Sequence, residues 1–206
     1  MSGILSSRLN STEQVVLMDA EFEHFRKPSG LYLMGMLGTG LAIFAFFAAL
    51  VVAFFWRAQT PDYWTPVELP SLLWVSSAVI VISSVTAEFA RRYLIRGLKT
   101  KYRRWLGITA VLGTLFLVLQ VASWKQLANA GAFVVENPHA SFYYIFTGLH
   151  GCHLVLGLAA LILFTIRAWR TDGPIKRREW IASTIYYWHF MGALWIGLFV
   201  VLLVVR

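Results

Sequence analysis

Five long stretches of apolar residues follow one another along the chain, separated by short polar segments. They run from Leu31 to Trp56, Leu69 to Tyr93, Trp105 to Leu127, Ser141 to Ala168 and Glu179 to Val205. Each is long enough for the roughly 20 residues that a helix needs to cross the hydrocarbon core of a bilayer. The pattern predicts an all-α integral membrane protein, a bundle of five transmembrane helices within residues 31–206.

The first 30 residues differ from the rest because they are polar and have no apolar core segment. Ser11 or Thr12 is placed to cap a short helix with Glu13 in its first turn. We expect an N-terminal arm with a short interfacial helix. We also expect no cleavable signal peptide, so that the first spanning helix directs insertion.

The lysines and arginines are distributed unevenly between the two sides of the predicted bundle. Of the 18, all but Arg57, Lys125 and Arg206 lie in the arm, around the junction of the second and third stretches, or around the junction of the fourth and fifth. Positively charged loops tend to stay in the cytoplasm. The pattern predicts a cytoplasmic N-terminus and a periplasmic C-terminus.

Composition supports a membrane protein, since 58% of residues are hydrophobic and the mean hydropathy is +0.65. The net charge of +8 does not indicate nucleic-acid binding, because the basic residues cluster between apolar runs. A single cysteine, Cys152, excludes an internal disulfide and a paired-cysteine copper site of the CuA type.

The fourth stretch carries a polar patch near its middle. His150 and His153 are three residues apart and share one helix face. Gly148, Gly151 and Cys152 are small and predict close helix packing on that side. We expect the Gly/His face to pack into protein and the Leu/Val/Ile face to meet lipid or other helices.

Glu88 is a carboxylate inside the second predicted span, and Arg91 and Arg92 follow it at i+3 and i+4. This spacing predicts an ion pair near the cytoplasmic boundary. The alternative is a proton-handling group or a partner of His189 on the last helix.

Histidines in a span are candidate haem or metal ligands. His150, His153 and His189 are too few for two haems, and the first two cannot ligate one haem from both faces. We expect packed histidines and no metal, haem or other redox centre in this chain. A small transporter or proton channel and a cytochrome-b-like haem subunit remain alternatives, and no nucleotide-binding or protease motif is present.

Two segments together resemble subunit III of haem–copper terminal oxidases. The first segment, Phe142–His153, contains in order Phe142-Tyr143, Thr147-Gly148, His150-Gly151 and His153. In the last helix the similar segment is Tyr186-Tyr187-Trp188-His189-Phe190, followed by Leu194-Trp195 and Phe199. The resemblance covers about residues 30–205.

The resemblance implies a five-helix subunit III of a bacterial inner (plasma) membrane oxidase in the aerobic electron transport chain, most similar to cytochrome c oxidase. Such a subunit is not itself catalytic: haems and copper lie in partner subunits, and oxidase activity belongs to the complex. Implied partners are subunit I, subunit II, a small subunit IV, a respiratory supercomplex and bound phospholipid. The subunit would stabilise subunit I and support proton uptake and proton translocation. By analogy, His150, His153, Trp188 and His189 would line a lipid cleft or pin the helices around it.

The chain departs from this family at two positions where acidic residues are usual. Met36, or Gly35, replaces the acid of the first helix, and Gly192 replaces the Asp of the last helix. Roles of those acids therefore do not transfer. The segment Glu136-Asn137-Pro138-His139 is more similar to the cytochrome c group than to the quinol group, so a quinol oxidase subunit III is the alternative.

Overall fold

The computed structural model describes residues 29–59, 67–131, 137–170 and 178–204. It contains five helices in these ranges: α1 (Ser29–Ala58), α2 (Leu72–Ile95), α3 (Lys99–Asn129), α4 (Pro138–Arg170) and α5 (Arg178–Val204). All five are long and apolar enough to cross a membrane. The prediction of an all-helical, multi-span membrane protein is confirmed. The predicted arm, apart from Ser29 and Gly30, lies outside the described residues.

The largest error in the predicted boundaries concerns α3, which begins at Lys99 and not at Trp105. Gly97 adopts a positive φ of 71°, a conformation that glycine reaches without steric cost, and the chain reverses there after α2. The basic residues that follow are good helix formers. Their long side chains can also reach water from a helix end. A run of basic residues in the sequence therefore did not distinguish a loop from the first turns of α3.

The other boundaries differ from the predicted ones by a few residues. Proline is well tolerated in the first turn of a helix, and α4 accordingly begins at Pro138. It has 33 residues, which corresponds to about 50 Å of helix, against a hydrocarbon core of about 30 Å. The helix ends therefore extend beyond the core or the helix is tilted.

Helix α5 is at the centre of the bundle and packs against α1, α2 and α4. Helices α2 and α3 form the most extensive helix pair, and α3 also packs on α4. Large aromatic side chains fill the interior. Those that are almost completely buried are Phe47, Phe54, Tyr102, Phe116, Tyr143, Phe146, Trp188 and Trp195.

The outer faces are apolar, as a bilayer requires. On α4, Val155, Leu156 and Leu163 are exposed, whereas Thr147 and His150 are buried. Thr147 and His150 therefore point inward, whereas Cys152 of the same patch is exposed, and which exposed residues of α4 meet lipid stays a prediction. Helix α1 is the most exposed of the five: from residue 34 to residue 58, its buried apolar residues are Ile43, Phe47 and Phe54.

Candidate functional site: polar groups within the membrane helices

A series of side-chain hydrogen bonds connects α2 to α3 inside the bundle. Thr86 Oγ1 and Thr109 Oγ1 are 2.9 Å apart, and Ser83 Oγ donates to the Thr109 carbonyl at 3.3 Å. Towards the other end of the pair, Gln120 Nε2 donates to Ser76 Oγ at 2.9 Å. Small hydroxyl residues allow close approach of the helices and provide partners for polar groups that would be costly in hydrocarbon.

Two tryptophans of α5 extend this network. Trp188 Nε1 donates to Ser83 Oγ at 3.1 Å, and Trp195 Nε1 donates to Ser77 Oγ at 3.0 Å. Both rings are fully buried. The Trp188 ring lies over Gly113 of α3, where an added Cβ would be 2.6 Å from the ring. Glycine at 113 is therefore what allows the indole to occupy this position.

His150 lies in an aromatic cage between helices. Its ring centroid is 5.2 Å from that of Trp195, 6.1 Å from that of Phe116 and 6.5 Å from that of Phe47. The side chain is fully buried, and neither ring nitrogen has a hydrogen-bond partner among the described residues. In this environment the imidazole acts as a flat packing group between α1, α3, α4 and α5.

The second histidine of α4 is less buried and is held by its own helix. His153 Nδ1 is 2.8 Å from the Leu149 carbonyl, and its ring contacts Phe47 of α1. Tyr187 of α5 donates its hydroxyl to the His153 carbonyl at 3.1 Å. A Cβ at Gly157 would lie 2.9 Å from the Tyr187 ring. Both signature segments therefore meet at the α4–α5 contact.

The small residues of the α4 patch behave differently from one another. A Cβ at Gly148 would meet Trp124 at 3.7 Å, an ordinary contact, whereas a Cβ at Gly151 would meet nothing within 4 Å. Cys152 is exposed. The tightest glycine contacts in the described residues are instead at Gly113 and Gly157. Among the described residues no close contact is formed at Gly151 or Cys152, and close helix packing at these two positions stays a prediction.

A charged cluster lies near the end of α2. Arg91 binds the Glu88 carboxylate through two nitrogens, at 2.7 and 2.8 Å, and Arg92 Nε binds it at 2.9 Å. The Glu88 side chain is 26% exposed and that of Arg92 is 59% exposed. The i+3 and i+4 ion pairs are thus formed. A role of Glu88 in proton handling stays a prediction.

His189 lies beside this cluster, one helix away. Its Nδ1 is hydrogen-bonded to Ser84 Oγ, and its Nε2 is 3.8 Å from Glu88 Oε2. A cavity of about 520 Å³ opens here between α2 and α5. We call it the α2–α5 groove; its lining includes Ser84, Glu88, His189 and Gly192.

The four residues expected to line a lipid cleft or pin the helices around it therefore fall into two groups. His150 and Trp188 are fully buried and contact other helices, which corresponds to pinning. His153 and His189 are partly exposed, and lipid binding at either stays a prediction. In the described ranges no three His, Cys, Asp or Glu side chains are grouped so that they could hold a metal ion.

Comparison with known proteins identifies the family. The family model described as cytochrome c oxidase subunit III matches residues 29–205. The chain belongs to the cytochrome c oxidase subunit III family. A probable cytochrome c oxidase subunit 3 of Nocardia farcinica is 34% identical over 165 residues, which cover 78% of this chain and 81% of that protein.

Similar proteins include subunits named for cytochrome c oxidases and one named for a ubiquinol oxidase. The cytochrome c oxidase subunit 3 of Corynebacterium diphtheriae is 32% identical over 61% of this chain and 62% of its own length. The cytochrome bo(3) ubiquinol oxidase subunit 3 of Pseudomonas aeruginosa is 28% identical over 83% of this chain and 80% of its own length. Subunit III of a haem–copper oxidase works in a complex with the other oxidase subunits, so family membership favours this role over a separate transporter or a cytochrome-b-like protein.

Proposed function

We propose that this chain is the non-catalytic subunit III of a cytochrome c oxidase in a bacterial plasma membrane. The N-terminus faces the cytoplasm and the C-terminus the periplasm. The proposal draws on the names of the relatives in Nocardia farcinica and Corynebacterium diphtheriae and on the uneven distribution of basic residues. The chain packs against subunits I and II, which hold the haems and copper.

The main support for this role is that side chains of the two signature segments make contacts between helices. Trp188 is bonded to Ser83 of α2, Tyr187 is bonded to the backbone of α4, and His150 is packed among aromatic rings. These side chains fasten helices to one another. A rigid bundle of this kind supports a neighbouring catalytic subunit and retains lipid at the contact between them.

The first experiment is to purify the complex through a tag on this chain, from its own host membranes. We expect subunits I and II to co-purify, with haem assigned to subunit I and electrons accepted from reduced cytochrome c. Activity with quinol and no copper-containing subunit II would indicate the quinol oxidase alternative. Recovery of the chain without other oxidase subunits would contradict the proposal.

The second experiment tests support of proton uptake through Glu88. Glu88→Gln retains the shape of the side chain but removes the charge that pairs with Arg91 and Arg92. We expect slower proton uptake and faster inactivation of the oxidase during turnover, at unchanged subunit content. Glu68, outside the helices, supplies the control Glu68→Gln. Unchanged proton uptake and unchanged inactivation in Glu88→Gln would remove Glu88 from the proposed role.

A further inference from the structure

One end of the helix bundle is strongly basic. The N-terminus of α1, the α2–α3 turn, the C-terminus of α4 and the N-terminus of α5 lie at this end, because consecutive spanning helices alternate in direction. By sequence, residues 88–104 and 167–179 together carry twelve lysines and arginines but three acidic residues. We call the exposed basic side chains that the structure describes there the basic rim: Arg92, Arg96, Lys101, Arg104, Arg167 and Arg170.

The positive charge of the basic rim is only partly balanced by its surroundings. Glu88 is the sole carboxylate among the side chains that the structure describes at this end, and both Arg91 and Arg92 bind it. Nζ of Lys101 lies over the ring of Tyr93, 5.5 Å from its centroid, which places this ammonium group at the α2–α3 turn. Exposed like charges repel one another, and an acidic segment bound across them would relieve that repulsion.

The N-terminal arm carries a segment of the opposite charge. Residues 13–23 contain four of the ten acidic residues of the chain and no lysine or arginine. We call them the acidic segment; its acidic residues are Glu13, Asp19, Glu21 and Glu23. The segment lies outside the described residues, but its distance along the chain limits its reach. Glu23 and Glu13 are six and sixteen residues from Ser29, the first residue of α1, which corresponds to at most about 21 and about 56 Å of chain. The acidic segment therefore stays at the end of the bundle that carries the basic rim.

We propose that the acidic segment docks on the basic rim of its own chain, at the α2–α3 turn. A single exposed ion pair contributes little, but several pairs formed by one segment act together. The short connection to α1 also keeps the segment at a high effective concentration beside the rim. This docking goes beyond the proposed function, because it concerns where the arm binds and depends on neither the electron donor nor the orientation in the membrane.

Charge favours the basic rim over the lipid headgroups as the partner of the acidic segment. Helices that lie on anionic membranes usually carry lysine and arginine on their polar face, because anionic headgroups attract basic residues and repel acidic ones. The acidic segment has neither lysine nor arginine. A short interfacial helix in the arm is compatible with this docking, because the basic rim itself lies at the ends of the spanning helices.

The first test is carbodiimide crosslinking of the intact, purified complex that contains this chain. The reagent joins a carboxylate to an amine in direct contact, and mass spectrometry identifies the joined peptides. We expect the acidic segment to be joined to Lys99 or Lys101, in a product that migrates as a single chain. At about 1 M salt, where exposed charges are screened beyond about 3 Å, these crosslinks should be lost. Absence of crosslinks, or crosslinks that join the segment only to other lysines, to lipid or to another subunit, would overturn the proposal.

The second test measures how fast a water-soluble acylating reagent modifies Lys101 in the same complex. The variant neutralises the acidic segment through four substitutions: Glu13→Gln, Asp19→Asn, Glu21→Gln and Glu23→Gln. We expect Lys101 to react about fivefold faster in this variant, because the segment no longer covers it. Lys125, exposed near the other end of α3, should react at an unchanged rate.

A matched control and an assembly measurement complete the second test. Glu68→Gln neutralises an acidic residue that lies before α2, away from the basic rim, and should leave the reactivity of Lys101 unchanged. Subunit stoichiometry is measured separately, so that loss of assembly is distinguished from loss of docking. The proposal is wrong if Lys101 reacts equally fast in the wild type and in the neutralised variant.

Discussion

Helix α1 and the α2–α3 pair are equally suited to hydrocarbon but are packed very differently. Over its most apolar stretch α1 is only 17% buried, against 39% for both α2 and α3. The buried residues of α1 are large and apolar, such as Phe47 and Phe54. Those of α2 include Ser76, Ser77 and Ser83. In this protein the polar and small positions, more than the apolar ones, mark where helices meet.

The physical reason is that lipid tails are as apolar as leucine. Burying an aliphatic side chain between helices gains little over leaving it in lipid, so helix association depends on close packing and on interhelical hydrogen bonds. The α2–α3 pair has both, through Thr86, Thr109, Ser76 and Gln120. Helix α1 contributes mainly aromatic contacts to α4.

The largest effect should separate a buried tryptophan from an exposed one. Trp188→Ala removes a fully buried ring and its bond to Ser83, and we expect a loss of about 3–5 kcal/mol in stability. Trp56→Ala, in α1, changes a residue that is 76% exposed and should change stability far less. The measurement is retention of this subunit in the detergent-solubilised complex as it is heated. Equal loss of the two variants would contradict the expected difference between the buried and the exposed tryptophan.

A second prediction compares two glycines of α3. Gly113→Ala forces a Cβ to within 2.6 Å of the Trp188 ring, and overpacking of this kind costs about 1–3 kcal/mol. Gly107→Ala has open space around the new Cβ and should be neutral, or slightly stabilising through helix propensity. The same thermal measurement applies. A Gly113→Ala variant as stable as the control would show that α3 and α5 adjust at this contact.

The smallest effect isolates one interhelical hydrogen bond. Thr109→Val removes the bond to Thr86 while retaining the size of the side chain. Thr114→Val is its control, because Thr114, like Thr109, donates to a backbone carbonyl one turn earlier but is exposed. We expect about 0.6 kcal/mol more destabilisation at position 109. A reversed order would mean that the α2–α3 contact does not depend on this bond.

Features that depend on a single helix were predicted best from the sequence. Apolar length alone identified the five spans, and the i+3 and i+4 spacing predicted the pairing of Glu88 with Arg91 and Arg92, since both arginines follow on the same helix face. The start of α3 was misplaced because basic residues at a helix end form a helix as readily as a loop.

Contacts between helices were much harder to predict. Gly148 and Gly151 look the same in the sequence as Gly113 and Gly157, but only at the latter pair does a ring from another helix lie too close for an added Cβ. The patch around His150 showed that α4 has an inward side, without indicating the cage formed by Trp195 and Phe116. The serines that receive the tryptophan bonds were missed; small hydroxyl residues within apolar α2 were the available signal.

The turn at Gly97 has a consequence for assembly of the protein in the membrane. Only Arg96, Gly97 and Leu98 separate α2 from α3, so the most extensive helix pair of the bundle joins segments that are neighbours in the chain. Contacts between near neighbours have a low entropic cost of closure. We therefore expect this hairpin to form during synthesis, before α4 and α5 have been translated, and to present its row of serines as a template on which the later tryptophans dock.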